Sequence, residues 1–423
     1  MSRRPSAPFV YLATAAVGGV FWGMFTTVYS LYLIRDVGLD PLQLVLMGTA
    51  LEITYFVFEV PTGVVADVVS RKVSILIGWA VSGAAMIVLG VVDSFAGALL
   101  SQILWALGLT FISGADVAWI TDEVGEDAAR PLFLRGAQFE NGGWLVGIGT
   151  GIGLATVALS IPVIVAGIGT CALAAVIAAI MSETGFVRPT REEGVRLRHS
   201  LGDTMTSSVR TVRAHPVMLL VLGVAALHGM STEAFDRLAD LKILQIGLPA
   251  FGGLDRILWF GVIEAVSLLL GIAATEFVRR KVDLEHVNGA ARVLIVIDVL
   301  LTVFVVAFGL STGFALAVLT SWATTGLRVV RVAVFTGWLN RGLDPRTRAT
   351  VNSIAEQADS IGQAVGGPII GVIATVRSVA AAIVLAGLVR LPVLGLYARA
   401  LRRGTEGALR PDEIEEPEGS PAS

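Results

Sequence analysis

Gly63-Val64-Val65-Ala66-Asp67-Val68-Val69-Ser70-Arg71-Lys72 joins two apolar runs, 42–65 and 73–93. A helix needs about 20 apolar residues to cross the hydrocarbon core of a bilayer, and each run has that length. The charges of the joint are gathered at one end of both runs. That arrangement predicts a tight, charged turn at a membrane surface between two spanning helices.

Runs of the same size recur outward from this turn in both directions. The expected spans are 9–34, 42–65, 73–93, 96–121, 134–158, 161–182, 216–242, 258–278, 288–309, 312–339, 350–374 and 378–399. The fold class is therefore an all-α integral membrane protein of about twelve transmembrane helices. Composition agrees: 55% of the 423 residues are apolar and 15% charged, against about 25% charged in soluble domains. There is too little polar surface for water on all sides, so the lipid bilayer is the expected partner. A net charge of -3 offers no basic face to nucleic acid. The single cysteine, Cys171, lies in an apolar run and is read as a packing residue. The first apolar run is too long for the core of a cleaved secretory signal and is expected to be retained.

One long polar stretch, 183–215, divides the chain. The domains read as a six-helix bundle over 1–182, a linker over 183–215, a second six-helix bundle over 216–400, and a disordered acidic tail over 401–423. Ser200 to Arg213 is expected as a surface helix. Basic residues fix the orientation. Arg3, Arg4, Arg71, Lys72, Arg130, Arg135, the six linker arginines, Arg279, Arg280, Lys281, Arg341, Arg346, Arg348, Arg402, Arg403 and Arg410 fall on one side. Arg35, Lys242, Arg256 and Arg377 fall on the other. Both ends of the chain and the linker are expected in the cytoplasm, and the protein in the plasma membrane.

The halves resemble each other. Phe21-Trp22-Gly23-Met24-Phe25-Thr26 aligns with Leu227-His228-Gly229-Met230-Ser231-Thr232, and Gln138, Glu140, Gly143 and Gly147 align at one offset with Gln357, Asp359, Gly362 and Gly366. Internal duplication is how many transporters build a site. Gly143, Gly147, Gly362 and Gly366 are read as helix-packing glycines.

The quoted turn resembles the Gly-x-x-x-Asp-x-x-x-Arg-Lys/Arg motif of the major facilitator superfamily, at the loop where that family carries it. With the helix count and the central linker, the resemblance covers almost the whole chain. It implies the major facilitator fold, two pseudo-symmetric bundles, and a conformational latch made by Gly63, Asp67, Arg71 and Lys72, with Asp122 as the acidic partner of Arg71. Gly63 would let a neighbouring helix approach. A weaker echo follows span eight at Gly271, Glu276, Arg279 and Arg280. Phe58-Glu59-Val60-Pro61-Thr62-Gly63 and Glu233-Ala234-Phe235-Asp236-Arg237-Leu238 resemble bacterial drug-efflux members, of the drug:proton antiporter or macrolide-efflux-like kind. Two antiporter features are missing: span five has no Gly-Pro, which span eleven does have at Gly367-Pro368, and span four has no arginine.

An ionisable residue deep in a bilayer is costly and usually functional. Glu52, Asp116 and Glu140 are the proton-coupling candidates, because no basic residue lies at their depth. Bonding to hydroxyls or backbone alone is the bland alternative. Glu233, Asp236, Arg237 and Asp240 share one face of span seven. Arg328 and Arg331 need anions, for which Glu356 and Asp359 come first and Glu264 and Asp298 next. Glu233, Asp236, Arg237, Arg331 and Glu356 read as a gate or ion-pair brace. Substrate-cavity candidates are Trp22, Tyr29, Trp119, Arg328 and Asp359. Trp22 and Tyr29 share a helical face; Tyr32, Tyr55 and Trp144 are further aromatics that suit flat or cationic ligands.

These residues point to a secondary transporter of a small-molecule substrate, working by alternating access with protons as coupling ion. Efflux of lipophilic or drug-like molecules is the leading reading, and a nutrient uniporter or proton symporter is the alternative. A membrane enzyme or sensor is more remote. There is no Walker loop, no Cys/His metal cluster, and no cofactor or metal is expected. Gly309-Leu310-Ser311-Thr312-Gly313 matches the hydrolase Gly-x-Ser-x-Gly pattern but lies between two spans, where the strand that the elbow requires is absent. A monomer is expected.

Overall fold

The computed structural model describes residues 5–188, 216–250, 255–281, 290–340 and 345–402. The helix expected over 200–213 and the tail beyond 402 lie outside them. The described chain is helical nearly throughout. The helices are α1 (Ala7–Arg35), α2 (Pro41–Val68), α3 (Arg71–Val91), α4 (Phe95–Ile112), α5 (Ala115–Val124), α6 (Glu126–Ala155) and α7 (Ser160–Ile180). They continue as α8 (Pro216–Ile246), α9 (Asp255–Lys281), α10 (Ala290–Leu310), α11 (Phe314–Asn340), α12 (Pro345–Val376), α13 (Val379–Leu388) and α14 (Leu391–Arg402).

Local chemistry sets the ends. Asp40 and Gln43 form a capping box before α2, with Pro41 in its first turn. Ser70, Ser94 and Ser378 each accept a backbone N–H at the start of α3, α4 and α13. Among the described residues ten segments are long and apolar enough to cross a membrane, with α4 and α5 together forming one of them and α13 and α14 another. The charged α6 and α8, 30 and 31 residues long, complete the twelve. The protein is a multi-pass membrane protein. Large apolar side chains such as Val146, Leu134 and Val303 are exposed, as a lipid solvent permits.

Two expected spans differ in form. Span four is broken at Ser113-Gly114, where Gly114 has φ +74°, a conformation that costs glycine nothing. Span twelve is broken at Val389-Arg390. Span five starts earlier than expected, at Glu126.

By contacts the chain divides into two units, residues 1–198 with 243–268 and residues 199–242 with 269–423. Inside each, glycines bring helix backbones into direct contact, and one such helix pair recurs in both units. In the first unit a Cβ on Gly19 would collide with the carbonyl of Glu140, one on Gly143 with that of Ala16, and one on Gly147 with that of Val20. In the second, Gly229 lies against the carbonyl of Asp359, Gly362 against that of Ala226, and Gly366 against Met230. Small residues permit this approach, which in lipid replaces hydrophobic burial as the source of packing energy.

These contacts correct the register of the duplication. The counterpart of Gly229 is Gly19, not Gly23, so the sequence alignment of the first helices was displaced by one helical turn. The Gly pairs on α6 and α12 keep the offset read from sequence. Two equivalent cores agree with the match: Ile75, Ala115, Trp119, Ile120, Leu132 and Ala174 cluster in the first unit, and Leu294, Val334, Trp338, Leu339, Val351 and Val393 in the second. By the same register Trp79 corresponds to Asp298, and Ile112 to Arg331.

Candidate functional site

The first unit forms a half-open cavity of about 340 Å3, on whose wall Asp116 is half-buried and Glu140 exposed. α1 contributes Tyr11, Gly18, Gly19 and Trp22; α3 contributes Trp79; α4 and α5 contribute Ile112, Asp116 and Trp119; α6 contributes Phe133 and Glu140. The break at Gly114 places Asp116 in the first turn of α5, where its carboxylate accepts the Val117 N–H at 2.8 Å. Among the described residues neither Asp116 nor Glu140 has an ion-pair partner. The cavity is apolar and aromatic apart from these acids, Tyr11 and Thr14, and its size lies within the range of ligand pockets.

Trp22 lines this cavity and packs edge-on against Trp79 with centroids 6.4 Å apart. Tyr29, expected beside it, lies off the cavity. Its hydroxyl donates to Gln102 Oε1 at 2.5 Å, and its ring joins Phe25 and Trp105. Trp119 reaches the wall with its ring while its indole N–H is spent on the carbonyl of Ser182, 2.7 Å away. Glu52 is separate from Asp116 and Glu140: it lies on α2, which adds nothing to the cavity wall.

The turn between α2 and α3 is fastened within the first unit. Arg71 pairs with Asp67 and sits 3.5 Å from Asp122 Oδ2, an ion pair rather than a hydrogen bond. Its guanidinium lies 5.8 Å from the ring centroid of Phe186. Lys72 Nζ donates to the carbonyls of Ala178 and Met181 at 2.9 and 2.7 Å, capping α7 where its dipole favours a cation. Glu183 does the converse at the start of α3, accepting from the Lys72 N–H at 2.9 Å and the Ser70 hydroxyl at 2.6 Å. Glu123 holds the same strap, accepting from the Gly185 N–H at 2.7 Å and the Ser182 hydroxyl at 3.0 Å. Gly63 does not serve close packing, since a Cβ there would meet no atom within 4 Å. The echo after span eight is a local cluster in which Glu276 pairs with Arg279 and Arg280.

In the second unit several charged side chains of the spans are paired with one another. Arg328 forks onto Asp236, with Nη2 to Oδ2 at 2.9 Å, and Arg237 pairs with Glu233 at 3.1 Å. Arg331 Nε and Arg390 Nη1 both donate to Asp298 Oδ1, at 2.9 and 3.0 Å, and all three side chains are at most 3% exposed. Arg390 also donates to the Ser231 hydroxyl at 2.8 Å, and Arg331 contacts the Tyr397 hydroxyl at 3.5 Å. Arg331 thus takes the acid ranked second in the sequence. Asp359 lies in electrostatic reach of both Arg328 and Arg331 and accepts from Gln363 at 2.8 Å. Glu356 is exposed. Sequence reading missed Arg390, although it is the single charge between Val379 and Tyr397, a signal in itself. The Ser311 hydroxyl of the Gly-x-Ser-x-Gly match donates to the Phe308 carbonyl at 2.6 Å in a helix–turn–helix connection.

Residues 11–286 match the family model of the Major Facilitator Superfamily. The chain is 35% identical to the uncharacterized MFS-type transporter YxaM of Bacillus subtilis (strain 168) over 129 residues, 30% of this chain, so it spans about a third (32%) of that relative's length. In fold it is similar to a peptide transporter POT solved with sulfate (TM-score 0.75, 15% identity, 96% of each chain). It is also similar to the nucleoside transporter NupG (TM-score 0.73, 11% identity, 94% of this chain and 100% of that one). A third is a bacterial homolog of the human lysosomal transporter Spinster, inward-facing and occupied (TM-score 0.72, 13% identity, 93% of this chain and 96% of that one).

Proposed function

Because this chain belongs to the Major Facilitator Superfamily, we propose that it is a secondary active transporter that moves a small molecule across the plasma membrane by alternating access, exchanging it for protons. The observation that carries this reading is the cavity of the first unit, where Asp116 and Glu140 share one apolar chamber without a cation. Apolar walls within a membrane span favour the neutralised form of a carboxyl, and a proton or a substrate can each supply it. Mutual exclusion of the two is the elementary requirement of antiport. Glu52, on α2 outside this chamber, is a lesser coupling candidate.

Arg71, held by Asp67 and Asp122, is the centre of the proposed latch, and the network around Asp298 is the proposed brace. The bias of basic residues supports a cytoplasmic location for both ends of the chain. Aromatic walls support export of a lipophilic compound. Uptake of a polar metabolite by symport is the second reading, favoured by the peptide and nucleoside transporters of similar fold.

The test is transport in proteoliposomes with an imposed pH gradient. Uptake of a permanently charged lipophilic cation that exceeds that of protein-free vesicles and collapses when the gradient is dissipated supports the antiporter. Accumulation indifferent to the gradient overturns it.

A further inference from the structure

The two units repeat one packing pattern, yet they fill its centre differently. At the positions corresponding to Leu109 and Ile112 of the first unit, the second carries Arg328 and Arg331. Where the first has Gly18 the second has His228, and where the first has Trp79 the second has Asp298. Glu140 corresponds to Asp359, and both are acids. In the second unit that acid accepts from Gln363 and lies within electrostatic reach of Arg328 and Arg331, guanidinium groups of the chain itself. In the first unit the corresponding positions are leucine and isoleucine, and beside Glu140 and Asp116 the chain leaves a chamber of about 340 Å3 instead.

We propose that the chamber of the first unit is a binding site for a small organic cation, a guanidinium- or amine-bearing molecule with a flat apolar body, whose charged head takes the place that arginine takes in the second unit. Two carboxylates supply the counter-charge. A guanidinium suits a carboxylate through paired N–H donors, and Trp22, Trp79 and Trp119 present ring surface to the body of such a molecule. A neutral molecule of the same shape leaves the acids unserved, and an anion is repelled by them. The site lies wholly within one bundle, among α1, α3, α4, α5, α6 and α7. The inference rests on the transporter reading only in calling the occupant a substrate.

The experiment is equilibrium binding to the full chain in detergent, with benzylguanidine as probe and benzylurea as its neutral isostere. No gradient is present, so the result is independent of transport. Benzylguanidine is expected to bind and benzylurea to bind at least tenfold more weakly. Glu140→Gln and Asp116→Asn are each expected to weaken benzylguanidine at least tenfold. Ile112→Arg, which installs the guanidinium of the second unit, is expected to abolish binding while the protein still elutes as one sharp peak. Equal binding of the two probes, no binding of either, or undiminished binding to the folded Ile112→Arg protein overturns the proposal. If binding behaves as stated but no gradient-driven transport is found, the transporter reading fails and the site stands.

Discussion

Trp79 and Asp298 hold the same position in two copies of one packing pattern. The first is part of a cavity wall, and the second is the carboxylate shared by Arg331 and Arg390. One duplicated bundle has thus kept an open aromatic chamber, and the other has filled the same place with ion pairs.

Removing either chamber acid should uncouple transport. Glu140→Gln and Asp116→Asn are expected to lower pH-gradient-driven flux in proteoliposomes at least tenfold, or about 1.4 kcal/mol in rate terms. Glu52→Gln is expected to cost less, because α2 adds nothing to the chamber. Equal loss in all three would refute the assignment.

The brace should answer to thermal unfolding. Asp298→Asn leaves two buried guanidinium groups without their shared carboxylate, and breaking a buried pair typically costs about 3–5 kcal/mol. A clear fall in melting temperature is expected in detergent. Asp67→Asn, which alters a pair whose acid is 45% exposed, should leave melting nearly unchanged and impair transport instead.

Glycines separate packing from tolerance. Gly143→Val pushes a side chain onto the carbonyl of Ala16 and is expected to destabilise by about 1–3 kcal/mol, the range for overpacked cores. Gly63→Ala meets open space and should stay within about 0.5 kcal/mol of wild type. Melting curves of the two variants, compared directly, decide this.

The strap after α7 should loosen without its acids. Glu123→Gln weakens the acceptor of the Gly185 N–H, and Glu183→Gln that of the Lys72 N–H. Hydrogen exchange of residues 182–188 is expected to quicken in both, with α7 itself unaffected. Unaltered exchange would show that the strap is held by Trp119 and Phe186 alone.

Asp36, just beyond the end of α1, provides a pH test outside the membrane spans. Partial desolvation, and then the charge of Asp93, raise the carboxyl of this surface residue above the usual range. The folded state therefore holds that proton more tightly than the unfolded state does. The corresponding stability is complete at acid pH and is lost as pH rises through the raised value. Asp36→Asn should melt like wild type near pH 4 and above it near pH 8; a constant gap would refute the linkage.

Sequence alone determined the membrane class, the positions of the helices, the charged turn at Gly63–Lys72 and the duplication, because these depend on residues adjacent in the chain or one helical turn apart. It also singled out Glu52, Asp116 and Glu140 alike as acids with no basic residue at their depth. Only the tertiary structure decided that Asp116 and Glu140 share a chamber without Glu52, that Tyr29 turns away to Gln102, and that Arg331 takes Asp298 together with Arg390. It also moved the counterpart of Gly229 from Gly23 to Gly19. A helix repeats its faces about every 3.6 residues, so a sequence match one turn out of register still looks right. The carbonyl under each glycine belongs to a helix over a hundred residues away, and only packing chooses among the turns.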